Sequence, residues 1–219
     1  DLDSKVERIE APVQDPEAAR LAGLRAYGSG RLARYEEMRG KLQGMAPELQ
    51  ELVLQSYHKL LSYKDEYEVA RLLLATKTQV AERFEGDYEI SYHLAPPLLA
   101  KTGPDGRPQK RSFGAWFDWV SQGLARLSFL RETPFDPFGY SAERRMERQL
   151  IKDFESLVGR MLRDYDPERL DIWQEILSLP LNIRGFGPVK LANAKAMQKR
   201  RAELLDQLTK GNASERSAA

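Results

Sequence analysis

The stretch SAERRMERQLIKDFESLVGRML (residues 141–162) decides the fold of this chain. Its apolar residues recur at helical spacing and share one face of an α-helix. The residues of this face are Met146, Leu150, Phe154, Leu157, Val158, Met161 and Leu162. Ser141 is a good N-cap, because its hydroxyl can accept a hydrogen bond from a free N–H of the first turn. We therefore predict a helix from Ser141 to about Tyr165 with a broad apolar stripe.

The same periodicity predicts further helices on both sides of this stretch. One of them begins at Pro47, a residue that the first turn of a helix tolerates, and the next carries Asp65 and Glu66 near its start, where the helix dipole favours negative charge. The other predicted helices are Ala115 to Arg131, Pro167 to Ser178, and Pro188 to about Leu208. Before them, short helical stretches are predicted around Glu17 to Arg25 and Leu32 to Leu42.

A short strand is predicted before the middle of the chain. Tyr88, Ile90, Tyr92 and Leu94 alternate with polar residues, the period of a strand with one buried face. Its partner could be Gln109 to Phe113 or a strand of another domain. The predicted fold is therefore mainly α, with about six to seven helices and one short strand or small hairpin.

Composition along the chain predicts a single core. We expect residues 1–44 to be a connector from a preceding domain, since they are charged, punctuated by glycine and poor in large apolar residues. Residues 45–209 would form the helical domain. The polar residues 210–219 are predicted to be a disordered tail.

The overall charge excludes several classes of partner. Lys and Arg total 34 against 33 acidic residues, so a formal net charge of +1 provides no global field toward nucleic acid or an anionic membrane. No apolar run reaches the length of a membrane span. The chain has no cysteine, which excludes disulfides, zinc–thiolate sites and cluster ligation by its own residues and fits a cytoplasmic protein.

Five segments contain recognisable sequence motifs in addition to helical or strand periodicity. They are Tyr63 to Arg71 (YKDEYEVAR), Tyr92 to Leu99 (YHLAPPLL), Thr133 to Tyr140 (TPFDPFGY), Glu143 to Arg148 (ERRMER) and Ile183 to Lys190 (IRGFGPVK). In this order they resemble the carboxy-terminal domain of the long, fused indolepyruvate ferredoxin oxidoreductases, within the 2-oxoacid:acceptor oxidoreductases. The resemblance covers about Leu49 to Leu205.

The resemblance implies a parent enzyme that decarboxylates arylpyruvates oxidatively with thiamine diphosphate, iron–sulfur clusters and coenzyme A, and that reduces ferredoxin. The Gly-Asp-Gly signature of the thiamine diphosphate site is not matched here: Gly86-Asp87-Tyr88 lacks the last glycine and Pro104-Asp105-Gly106 lacks the first. We therefore expect no cofactor, catalytic residue or metal ligand in this chain and predict an accessory role. Its expected partners are the other domains of the parent, with coenzyme A or a 2-oxoacid as a candidate ligand at the interface.

The segment from Arg184 to Lys190 is the first candidate contact site. Arg184, Gly185, Gly187 and Lys190 bring two cations and free backbone N–H groups to a helix start, which suits an anion such as a phosphate of coenzyme A. The alternative is structural, because glycines allow a tight turn and Pro188 fits the first helical position.

Other candidates point to contacts with a partner domain. Arg144 and Arg148 lie one turn apart and could form an ionic seam, or else pair within their helix. Tyr67 and Arg71 belong to a dense mixture of charge and aromatic rings that we interpret as helix capping plus an interdomain contact. Phe138 belongs to a loop that either folds back on the core or fills a pocket of another domain.

Two other functions stay open from the residues alone. An independent small-molecule enzyme could use His93, Asp136 or Tyr140 to line a pocket, and a regulatory module would bind no ligand at all. His93 has no second strong metal ligand at fixed spacing, so a structural or solvated role is the simpler interpretation.

Overall fold

The computed structural model describes residues 15–28, 30–84, 86, 89–94, 109 and 111–218. Over these residues the chain forms eight α-helices and one two-stranded hairpin, which confirms the predicted mainly α fold. The elements are α1 (Pro16–Tyr27), α2 (Arg31–Lys41), α3 (Pro47–Leu61), α4 (Glu66–Arg83), β1 (Tyr92–Leu94), β2 (Arg111–Phe113), α5 (Phe117–Arg126), α6 (Ala142–Arg163), α7 (Leu170–Ser178) and α8 (Gly187–Ala218). Short 3₁₀ turns lie at Leu127–Leu130, Pro167–Arg169 and Leu179–Asn182.

The apolar stripe of α6 forms the centre of the main core. It buries Leu150, Phe154, Val158 and Met161 against α3, α7 and α8. The ring of Tyr57 on α3 stacks on Phe154 with their centroids 6.0 Å apart. The helical periodicity of residues 141–162 therefore places a continuous apolar surface where the neighbouring helices can cover it. None of the described helices has the length and apolar character that crossing a membrane requires.

Residues 15–44 are more firmly held than a connector would be. The main core includes Leu24 of α1, Tyr35 and Met38 of α2, and Leu42 directly after α2, and none of these four is more than 3% exposed. Few apolar residues are present, but their spacing places them toward α3, which packs against both helices. These residues are therefore anchored in the main core, and their connection to a preceding domain stays a prediction. Residues 1–14 of the predicted connector lie outside the described residues.

The strand pairs within the chain. Strand β1 runs antiparallel to β2, with Tyr92 opposite Phe113 and Leu94 opposite Arg111, which confirms the first of the two alternatives. Strand β1 is shorter than predicted, and Tyr88 lies outside the described residues. Tyr92, Phe113 and Phe117 form a second, small core, and the Tyr92 hydroxyl donates to Asp118 Oδ1 at 2.6 Å.

Two predicted helices have different ends in the structure. Helix α5 begins at Phe117 and gives way to a 3₁₀ turn at Leu127, so it is shorter than the predicted range of Ala115 to Arg131. Helix α8 continues to Ala218, past the expected end near Leu208. Propagating an existing helix costs little per residue when the sequence is rich in Ala, Glu, Arg and Lys. The unfolded backbone predicted for 210–218 is therefore helical here.

Removing the cap of α6 should destabilise the protein measurably. Ser141 Oγ accepts a hydrogen bond from Arg144 N at 3.2 Å, as its N-cap position predicted. We expect Ser141→Ala to lower the free energy of unfolding by about 1 kcal/mol in urea titrations. The control is Ser156→Ala on the same helix, whose hydroxyl only donates to Lys152 O and whose loss should cost less than about 0.5 kcal/mol. Equal losses in both variants would contradict the capping role.

Candidate functional site

A cavity of about 200 Å³ lies between the end of α3, the first turns of α6 and the segment that leads into α8. Leu60, Leu150 and Ile183 supply apolar wall. The charged residues that line it are four cations and one carboxylate: Lys59, Lys64, Arg184, Lys190 and Glu147. Three of the five sequence segments that carry the resemblance therefore meet at this cavity.

A largely buried row of alternating charges includes two residues that line the cavity, Glu147 and Lys190. Glu66, Arg144, Glu147 and Lys190 form this ionic chain, in which Arg144 and Lys190 both donate to the Glu147 carboxylate. Arg144 Nε also lies 3.3 Å from Glu66 Oε2. Glu147 is only 3% exposed, and burial raises its pKa while the two cations oppose that rise. The seam predicted for Arg144 is therefore formed within this chain, since Arg144 and Glu147 face inward.

The cations that line the cavity act on one another. Lys59 donates a hydrogen bond to Leu181 O, and Arg184 is exposed. Burial, followed by the positive charges of Arg184 and Lys190, lowers the pKa of Lys59 below its ordinary value. The cavity therefore has a positive electrostatic environment.

The glycines before α8 have a structural role. Gly185 has a φ of +89°, and a Cβ atom there would lie 2.8 Å from Val189 Cγ1, so a side chain is excluded on both grounds. Gly187 N–H donates to Glu143 Oε1 at 3.4 Å. One of the N–H groups expected to be free for an anion thus already faces a carboxylate.

The loop from Arg131 to Tyr140 is held by a buried carboxylate. Asp136 Oδ1 accepts hydrogen bonds from the Tyr67 hydroxyl at 3.0 Å and from Phe138 N at 3.1 Å, and Asp136 Oδ2 accepts one from Glu132 N at 3.3 Å. The rings of Tyr67 and Phe138 meet edge to face with centroids 5.4 Å apart. Tyr67 is 2% exposed, so the interdomain contact predicted for it is wrong because its partners are internal.

The remaining candidates lie away from the cavity. Arg71 pairs with Glu68 on α4 at 2.7 Å, and Arg148 donates to Gly139 O at 2.6 Å. His93 is exposed on β1, with its Nδ1 3.0 Å from Ser112 Oγ. Neither His93 nor Asp136 nor Tyr140 lines the cavity, so the three residues named for an enzyme do not converge there. Within the described ranges, no group of three or more potential ligand side chains could hold a metal ion.

Lys59 is the cavity residue that sequence reasoning missed. It lies on α3 and bonds to Leu181, 122 positions later in the chain. The one sequence signal at Lys59 is its place in the last turn of α3, where a positive charge interacts favourably with the helix dipole. That signal is common and does not mark a site.

A family model described as a family of unknown function, DUF6537, matches residues 17–203. The chain belongs to the DUF6537 family. The matched range runs from the first turn of α1 into α8 and includes every residue named at the cavity. No curated protein and no solved structure matches the chain. The DUF6537 description carries no activity, so the resemblance to the indolepyruvate ferredoxin oxidoreductases stays a prediction.

Phe138 should contribute to stability while its neighbour Phe135 should not. Phe138 packs on Tyr67, whereas Phe135 is 80% exposed. We expect Phe138→Ala to lower the free energy of unfolding by about 2 kcal/mol, from lost apolar burial and the lost ring contact. Phe135→Ala should change it by less than about 0.5 kcal/mol. Thermal and urea unfolding of both variants would measure this, and an unchanged stability of Phe138→Ala would mean that the loop does not fold back on the protein.

Proposed function

We propose that this chain is an accessory, carboxy-terminal domain of an indolepyruvate or related 2-oxoacid ferredoxin oxidoreductase in the cytoplasm. It packs against the catalytic domains of its parent, which carry the thiamine diphosphate and the iron–sulfur clusters, and it contributes no catalytic residue. The order of the five sequence segments supports the family assignment. The docking role is carried by a separate observation, the exposure of large aromatic side chains.

Several aromatic rings in the described part of the chain are largely exposed. Trp119 is 78% exposed, Phe129 69% and Tyr140 63%, in addition to Phe135. We call Trp116, Trp119, Phe129, Phe135 and Tyr140 the exposed aromatic set. Single exposed apolar residues are ordinary, but large aromatic residues are enriched at protein interfaces and cost solubility when left in water. This set therefore supports burial against another domain.

Helix α5 concentrates part of this set on one side. Trp116, Trp119 and Val120 are separated by helical spacing and are all exposed, whereas Phe117, Asp118 and Ser121 are buried on the other side. The buried side packs on α4, where Lys77 pairs with Asp118. The exposed face of α5 is thus the more apolar of the two, and it is available to a partner.

The test uses the full-length polypeptide that contains this chain. We expect its reading frame to encode thiamine-diphosphate and cysteine-cluster motifs, and its product to reduce ferredoxin with an arylpyruvate and coenzyme A. The double variant Trp119→Ser/Phe129→Ser should weaken docking by roughly 2 kcal/mol for each ring that is buried, lowering the melting temperature and activity of the full-length protein. The same double variant of the chain alone should melt within about 2 °C of the unmodified chain.

Tyr165→Ser is the matched control, since Tyr165 is a ring exposed outside the aromatic set. It should leave the full-length protein unchanged. A full-length frame without those motifs would contradict the family assignment. Full-length Trp119→Ser/Phe129→Ser with unaltered melting temperature and activity would contradict the docking surface.

A further inference from the structure

We propose that the cavity beside α8 binds a small organic anion, whose carboxylate or phosphate group meets Lys59, Lys64 and Arg184 and whose apolar body lies against Leu60 and Ile183. This inference goes beyond the accessory packing role and does not rest on it. It assigns a class of ligand to the cavity, whereas the packing role requires no ligand there.

The charges around the cavity do not balance. Four cations line it, and the one carboxylate, Glu147, already receives hydrogen bonds from both Lys190 and Arg144. Lys59, Lys64 and Arg184 thus face the cavity without a carboxylate of their own among the described residues. Bringing like charges together is unfavourable: burial is the main cause of the lowered pKa of Lys59, and the charges of Arg184 and Lys190 lower it further. An anion in the cavity would relieve this repulsion.

The cations also retain hydrogen-bond donors. A lysine ammonium has three N–H groups, and Lys59 uses one of them for Leu181 O. The Arg184 guanidinium and the Lys64 ammonium have no acceptor within the described part of the chain. Charge-assisted hydrogen bonds to carboxylate or phosphate are about twice as strong as neutral ones, and the planar guanidinium can donate two in parallel.

The shape of the cavity selects a small ligand with an apolar body. Its volume of about 200 Å³ is below that of pockets for drug-sized molecules. Leu60, Leu150 and Ile183 line the cavity together with the cations, and Phe186, another lining residue, is 68% exposed, so its ring has room to cover a ligand. An inorganic anion alone would leave this apolar wall in contact with water.

An NMR titration of the 219-residue chain tests the proposal. The probes are phenyl phosphate and phenylacetate, with benzyl alcohol as the neutral analogue and inorganic phosphate as the anion without an apolar body. We expect saturable shifts of the amide signals of Leu60, Ile183 and Gly185 with at least one aromatic anion. If phenyl phosphate binds more tightly than phenylacetate, phosphate is the preferred group, and the reverse order identifies carboxylate. Raising the salt concentration from about 50 to about 500 mM should weaken the binding of the preferred anion.

The variant Lys64→Gln/Arg184→Gln should weaken binding of that anion roughly tenfold, because two exposed charge-assisted donors are lost. Lys195→Gln is the matched control on α8, since Lys195 is exposed outside the cavity, and it should leave the dissociation constant unchanged. Circular dichroism checks that both variants fold. The proposal is overturned by the absence of saturable binding of both aromatic anions, by equal affinity for benzyl alcohol or inorganic phosphate, or by an unchanged dissociation constant in the double variant.

Discussion

The buried ion pair of Asp65 and Arg131 joins α1, α4 and the loop before α6. Asp65 caps α4 by accepting from Glu68 N at 2.8 Å, and it accepts from Arg131 Nε at 2.5 Å and Nη2 at 2.9 Å. Tyr27 takes part twice: its hydroxyl donates to Asp65 at 3.2 Å, and its carbonyl accepts from Arg131 at 2.7 Å. The Asp65 and Arg131 side chains are at most 4% exposed. A buried charge costs several kcal/mol unless it is paired, so these elements are constrained to assemble together.

The candidate site follows from this constraint. Asp65 is preceded by Lys64, a cavity residue, and followed by Glu66, the first member of the ionic chain that ends at Lys190. Fixing Asp65 therefore fixes the end of α3, the start of α4 and, through the ionic chain, the start of α8. Three of the segments that carry the sequence resemblance have a structural reason to be charged. Among the described residues, the cations of the cavity outnumber its carboxylates. The exposed aromatic set is a separate surface property of the same scaffold.

Local signals predicted the helices well and their partners poorly. The apolar spacing of residues 141–162 and the hydroxyl of Ser141 act within a few turns, so α6 and its cap were predictable. Pairings such as Arg131 with Asp65 or Lys59 with Leu181 join residues that are 66 and 122 positions apart, and charge alone does not select a distant partner. The packing of α1 and α2 into the core was missed for a similar reason, since a few apolar residues suffice once α3 supplies the opposing surface. Part of the site, Arg184 to Lys190, was visible as charge around glycine, but the cavity depends on tertiary contacts.

A double-mutant cycle on Asp65→Asn and Arg131→Met, followed by urea unfolding, tests this account most directly. We predict that each single variant loses about 3 kcal/mol, because one charge stays buried without its partner, and that the double variant loses little more than either. The exposed pair Glu175 and Arg200, with atoms 2.6 Å apart, provides the reference and should couple by less than about 1 kcal/mol. Strictly additive losses at Asp65 and Arg131 would contradict the claim that their contact holds these elements together.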